Sequence, residues 1–185
     1  MTSLEVYSYG LKIPKDRIAV VIGKKGSIKK EIEAATKTQL NVDSKEGDVF
    51  ISGKDALKLY NAREVVKAIG RGFNPELAII LLKPDYALEI VAVEDYVKGD
   101  IKRAKGRLIG SEGKARRTIE TLSGCYISVY GKTVAIIGKV EDVFVARRAV
   151  EGLLRGAKHG NIYKWLEKRK KEILQKEILD GHKIG

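Results

Sequence analysis

The sequence predicts an α+β protein of two tandem units, each of the order strand-helix-helix-strand-strand-helix, followed by one last helix. Three observations predict it. First, the chain repeats itself. Ile22-Gly23-x-x-Gly26 returns as Ile109-Gly110-x-x-Gly113, Leu40-Asn41-Val42 as Ile127-Ser128-Val129, and Ala62-Arg63-x-x-Val66 as Ala146-Arg147-x-x-Val150. A period of this kind marks a duplicated structural unit. Second, each copy runs a short apolar segment into Gly-x-x-Gly and then into a basic, amphipathic helical pattern. Third, two short strand patterns and a long helical pattern follow in both copies.

Residues 4–13 alternate in part and stop at Pro14, which suits a strand. Residues 15–22 read as a short helix, 23–26 as a turn and 27–36 as a second helix. Ser27 is a candidate N-cap, although Lys114 stands there in the second copy. Strands follow over 38–43 and 49–52, split by the polar loop Ser44-Lys45-Glu46-Gly47-Asp48. Residues 55–70 form a longer helix with Leu57, Tyr60, Val65 and Ile69 among its apolar positions. Gly72 and Pro75 break it before a short apolar helix over 76–82, and Lys83-Pro84-Asp85 is the hinge between units. The second unit runs strand 86–93, helix 97–109, turn, helix 114–123, strands 126–130 and 133–137 joined at Gly131-Lys132, and helix 140–157. Asn161 is placed to cap a last helix reaching about Leu179, with Ile162, Trp165, Leu166, Ile173, Leu174 and Ile178 apolar. Glu167/Lys171 and Glu172/Lys176 stand at helix-supporting spacing. The expected domains are residues 1–82 and 83–158, with a basic helical extension over 159–185.

Charge narrows the class of partner. Lys and Arg outnumber Asp and Glu 36 to 24, a formal net charge of +12, which calls for an anionic surface, nucleic acid or membrane. With 44% hydrophobic residues the chain has material for a core and is not a disordered composition. No apolar run approaches the roughly 20 residues of a membrane span. The N-terminus lacks a signal-peptide pattern, so a cytoplasmic location is expected. Cys125 is the sole cysteine, which rules out an intrachain disulfide and a cysteine-based zinc site. The single Met and Cys and 32% charged residues suit a heat-adapted source.

The Gly-x-x-Gly stretches carry the chemistry. Two glycines three apart permit a tight turn and remove side chains that hold another backbone at a distance. The helix start that follows favours a phosphate through its N–H groups and dipole. The candidate binding residues are Ile22, Gly23, Lys24, Lys25, Gly26, Lys29 and Lys30 in the first copy. In the second they are Arg107, Ile109, Gly110, Ser111, Gly113, Lys114, Arg116 and Arg117. Gly23-Lys24-Lys25-Gly26-Ser27 is not a nucleotide-hydrolysing phosphate loop, which needs four residues between its glycines and Lys-Ser/Thr after the second. His159 and His182 are too few and too isolated for a metal site. Cys125 occupies the place of Thr38 and reads as a buried structural thiol. Without clustered carboxylates, the chain reads as a non-enzyme with no metal or cofactor.

The order strand, helix, Gly-x-x-Gly, helix, strand, strand, helix resembles the type I KH domain, over most of the 185 residues. This implies that each unit is a three-stranded antiparallel sheet packed against three helices. It also implies a loop that clamps about four nucleotides of a single strand. The stretch from Arg116 to Ile127, with Gly160-Asn161-Ile162, further resembles the "partner of Nob" family of archaeal and eukaryotic small-ribosomal-subunit assembly factors. That resemblance implies single-stranded RNA near the 3′ end of small-subunit ribosomal RNA, a role in its maturation, and the Nob endonuclease as a protein partner. Two positions depart from the KH pattern: Lys29 and Arg116 stand where many KH domains have an apolar residue, and Glu112 where a basic one is usual.

The implied mechanism is a division of labour. Loop amides and lysines hold phosphates without reading sequence, while Ile22 and Ile109 pack on bases and Asn41 and Ser128 read base edges. Two linked clamps then multiply affinity. Ile22, Ile32, Ile109 and Ile119 suit core positions better than contacts, and Trp165 suits a packing anchor better than a stacking platform. Arg147, Arg148, Arg155 and the basic run 164–171 suit a solvated face. A different class of function is a protein-interaction scaffold in which one unit has lost RNA binding, which Glu112 favours for the second.

Overall fold

The structure, a computed structural model, describes residues 6–181. The chain divides into two compact units, Met1–Leu88 and Glu89–Gly185, the division falling within one strand. In the first unit, strand β1 (Tyr7–Lys12) leads to helix α1 (Lys15–Ile22). A three-residue 3-10 turn (Lys24–Gly26) joins it to helix α2 (Ser27–Thr36). Strands β2 (Gln39–Val42) and β3 (Asp48–Gly53), then helix α3 (Ala56–Gly70), complete the motif. The sheet order is β1-β3-β2 and both pairings are antiparallel, so β2 is an edge strand. Period-2 alternation puts Val49 and Ile51 of β3 on the helix side, buried with Ile18, Val21, Ile32, Val65 and Ile69.

The second unit repeats the order with strand β4, to which Tyr86–Ala92 belong, after a short helix α4 (Pro75–Ala78) and a 3-10 turn that close the first unit. Helix α5 (Ile101–Ile109), a 3-10 turn (Ser111–Gly113) and helix α6 (Lys114–Ser123) follow. Strands β5 (Tyr126–Tyr130) and β6 (Thr133–Lys139) and helix α7 (Val140–Leu154) complete it, with sheet order β4-β6-β5. Each unit is thus a three-stranded antiparallel sheet with its helices on one face. Helix α8 (His159–Gly181) packs against α6 and α7, and its Leu166 is buried in the core of the second unit. Trp165 joins that core as a partly buried residue under Arg148, whose guanidinium lies 5.5 Å from its ring. It packs, as the sequence suggests.

Several boundaries differ from expectation, and at the starts of α3 and α5 the cause is capping. The first strand spans 7–12, while Leu4 and Glu5 lie outside the described residues. Helix α5 starts at Ile101 rather than at residue 97, because Asp100 accepts the Arg103 N–H at 2.9 Å and caps it. Asp55 likewise caps α3 through the N–H groups of Leu57 and Lys58. Ser27 does not cap α2. Gly26, in the left-handed region, holds that place with no side-chain hydrogen bond. Helix α7 stops at Leu154, ahead of Gly156 at φ 99°, and α8 starts at His159 rather than after Asn161. Cys125 is buried, accepted in this packing by Gly138, where a Cβ would collide with its sulfur. Burial, opposed in part by a hydrogen bond to Ser123, pushes its thiol up to about 12.

Arg147 is not part of a solvated face. It donates to Glu89 of β4 (2.7 Å) and Glu151 (2.8 Å), and Glu151 also accepts from the Tyr96 hydroxyl at 2.8 Å. Arg155 lies 4.9 Å over the Tyr96 ring. These contacts tie α7 to β4 and to the segment that follows it.

Candidate nucleic-acid interface

The two Gly-x-x-Gly loops have nearly one geometry. Gly23 leaves α1 at φ 72°, ψ 172°, and Gly110 leaves α5 at φ 74°, ψ 175°. Gly26 enters α2 at φ 77° and Gly113 enters α6 at φ 75°. Between them Lys25 (φ 54°) and Glu112 (φ 50°) also take left-handed backbone, which a side chain adopts at some cost. The N–H groups of Gly23 and Gly26 are bonded within the turn, to Ala19 O and Gly23 O at 2.9 and 3.1 Å.

The two glycines do different jobs. A Cβ on Gly23 would lie 2.5 Å from Ile28 Cγ1 and 2.7 Å from Ile28 N. One on Gly110 would lie 2.7 Å from Ala115 Cβ. The first glycine therefore lets the loop seat against the following helix. At Gly26 the nearest atom is Lys30 Cε at 4.0 Å, and at Gly113 it is Arg117 Nη1 at 3.2 Å. The second glycine supplies only positive φ, and in both units a basic side chain from one turn into the helix lies beside it. Lys30 and Arg117 occupy equivalent places, so the loop carries positive charge even where its own residues are Ser111 and Glu112.

Other predicted residues divide. Lys24, Lys25, Lys30, Ser111, Lys114 and Arg117 are exposed around the loops, and Ile22 and Ile109 are half-buried at the ends of α1 and α5. Ile32 and Ile119 are fully buried core residues. Lys29 pairs with Glu33 at 3.9 Å, and Arg116 with Glu120 at 4.0 Å while donating to Ile127 O at 3.3 Å. Arg107 is brought elsewhere. Its guanidinium donates to Leu153 O (3.2 Å) in the last turn of α7 and to Ala157 O (2.8 Å) just beyond it, and its own carbonyl meets the His159 ring at 2.8 Å. Arg17 does the same in the first unit, donating to Ile69 O and Phe73 O.

Beside each loop runs an edge strand, and the residue that fixes it was not singled out from sequence. Glu33 of α2 accepts the Leu40 N–H at 2.7 Å, and Glu120 of α6 accepts the Ile127 N–H at 2.8 Å. Because a residue's N–H and C=O point to one side of an antiparallel strand, the carbonyl of Leu40 and the backbone of Val42 also face the open edge. The repeat pairs Ile32-Glu33 with Ile119-Glu120, so the signal was present in the duplication. Helix α2 and strand β2 border an open groove of about 820 Å³, with Lys29, Ala34, Gln39 and Asn41 in its walls. Asn41 is exposed and Ser128 half-buried. Among the described residues, no group of His, Cys, Asp and Glu side chains could hold a metal ion, and no helix is long and apolar enough to cross a membrane.

A helix, Gly-x-x-Gly turn and helix leaning on the edge strand of a three-stranded antiparallel sheet, built twice, define a tandem type I KH protein. Residues 87–171 match the eukaryotic-type KH domain (KH-domain type I), and residues 8–68 match the KH domain. The chain is 53% identical to a KH domain-containing protein of Methanocaldococcus jannaschii, over 88% of this chain and 74% of the relative. It is 33% identical to the pre-rRNA-processing protein pno1 of Aspergillus fumigatus, over 62% of this chain and only 47% of that longer protein. The crystal structure of an a/eIF2alpha-aDim2p-rRNA complex from Pyrococcus horikoshii OT3 contains a similar chain. The match has TM-score 0.86 and 48% identity and covers 90% of this chain and 96% of that one. The chain belongs to the family of tandem KH-domain proteins that includes Pno1 and archaeal Dim2p. That family consists of RNA-binding proteins rather than enzymes.

Proposed function

We propose that the chain holds single-stranded RNA in its Gly-x-x-Gly loops, and that this RNA is the 3′ region of small-subunit ribosomal RNA during ribosome assembly in the cytoplasm. The working modules are residues 1–82 and 83–158, with the extension 159–185 docked on the second through helix α8, and the Nob endonuclease is a protein partner. One observation carries the RNA reading: in both units the loop places Lys30 or Arg117 beside a bare second glycine, next to an edge strand with outward-facing backbone. The loop holds phosphates and the edge strand meets the bases, while Ile22 and Ile109 supply apolar contact. The ribosomal target is supported by the similar chain crystallised with rRNA and by the relative named for pre-rRNA processing.

Gly23→Asp is a poor test, because a side chain there collides with Ile28. Lys24→Asp/Lys25→Asp reverses the loop's charge and leaves both glycines intact, and Asp tolerates the left-handed φ of Lys25. Binding of labelled single-stranded RNA is expected to weaken, with a shallower dependence on salt, since fewer cations are displaced. Unchanged affinity and slope overturn the first clamp. Ser111→Asp makes the same test of the second. Glu112 favours a second reading for that unit, a surface offered to another protein. It holds if Ser111→Asp leaves RNA affinity unchanged and abolishes binding of the endonuclease.

A further inference from the structure

The groove beside β2 does not end at the strand's edge. Its lining continues onto the outer face of the sheet, to Phe50 and Ser52 of β3. Phe50 sits opposite Asn41 of β2 and Gly10 of β1, on the face away from the helices. Its neighbours Val49 and Ile51 point inward and are fully buried, whereas Phe50 is 55% exposed. Gly10 provides its seat: the position of a Cβ there is 3.4 Å from ring atoms Cδ1 and Cε1, so the ring lies against bare backbone. A large aromatic held at the mouth of a groove otherwise lined by polar side chains such as Gln39, Asn41 and Ser52 is not needed for the core.

We propose that Phe50 is a stacking platform for one nucleobase beyond those held in the groove. The RNA strand would leave the loop, cross the edge of β2 at Asn41 and lay its next base on the ring. This rests on the RNA reading above. Continuity with the groove, rather than exposure alone, selects a nucleobase as occupant. Stacking on an aromatic face tolerates any base, so the platform adds affinity without adding sequence preference. It belongs to the first unit alone. The repeat places Ala135 at the same position of β6, and that residue is fully buried.

The test compares a labelled tetranucleotide with pentanucleotides extended by 2-aminopurine at the 5′ or the 3′ end, on the full chain. Extension at one end is expected to tighten binding about tenfold, with quenching of the added base. Phe50→Ala and Phe50→Leu should each lose that increment and the quenching while binding the tetranucleotide as the parent does. Phe50→Tyr should keep both. If Phe50→Leu retains the increment, or if all lengths weaken equally, the platform is overturned although the clamp stands. If Lys24→Asp/Lys25→Asp leaves tetranucleotide binding intact, or the parent binds no RNA, the clamp itself fails and the platform with it.

Discussion

At the scale of single residues, the two glycines of each loop make separable predictions. Gly26→Ala places a side chain at φ 77° with open space around it, and the left-handed strain alone costs about 1–2 kcal/mol. Gly23→Ala adds contacts of 2.5 and 2.7 Å with Ile28 to the same strain, so its unfolding temperature should fall further. Thermal denaturation of the pair checks the order; equal losses would show that the close approach to α2 is unimportant. The sequence showed both glycines as one motif. It did not distinguish them, because the distinction lies in how α2 packs back on the turn. Cys125 was legible as structural from its repeat partner Thr38, and its thiol, raised to about 12 by burial, stays neutral in the fold. As pH rises past the usual thiol range the unfolded chain ionises first, so this contribution to stability is lost as pH rises. A thiol reagent at pH 8 should label Cys125 only at the rate of unfolding, and rapid labelling would contradict its burial.

At the scale of elements, glutamates and arginines act where periodicity says nothing. Glu33→Ala leaves the part-buried Leu40 N–H without its carboxylate and should cost about 1–3 kcal/mol in a denaturant melt. Glu33→Gln keeps an acceptor for that N–H but removes the charge paired with Lys29. It should hold stability and tighten RNA binding at low salt, an outcome read by titration; weaker binding would place Glu33 in the contact itself. Charge and proximity in sequence put Arg107 at the interface, yet its guanidinium lies on the carbonyls of Leu153 and Ala157. Arg107→Ala should lower stability by about 1.5–3 kcal/mol and leave the salt slope of RNA binding unchanged. A reduced slope would return it to the contact set. Strand and helix order, and most helix bounds, were readable from apolar period and repeat. The apolar period alone starts α5 too early, because it does not show Asp100 as the cap.

At the scale of the whole molecule, duplication made the architecture legible: a weak motif seen twice, before the same strand pair and helix, specifies a fold that one copy does not. What duplication concealed is how the copies differ. The loops share their backbone angles but not their charge, Lys24-Lys25 against Ser111-Glu112. The first sheet exposes Phe50 where the second buries Ala135. The net charge of +12 alone would give RNA binding of any sequence with a steep dependence on salt. Recognition of a particular RNA requires the edge strands and grooves as well. The decisive measurement is the affinity of the full chain for a single-stranded RNA matching the 3′ end of small-subunit ribosomal RNA, against a scrambled RNA of the same composition, across a salt series. The expected result is a preference for the ribosomal sequence that persists at high salt and is lost in Lys24→Asp/Lys25→Asp, in Ser111→Asp or in their combination. Equal affinity for both RNAs, falling together with salt, would contradict it.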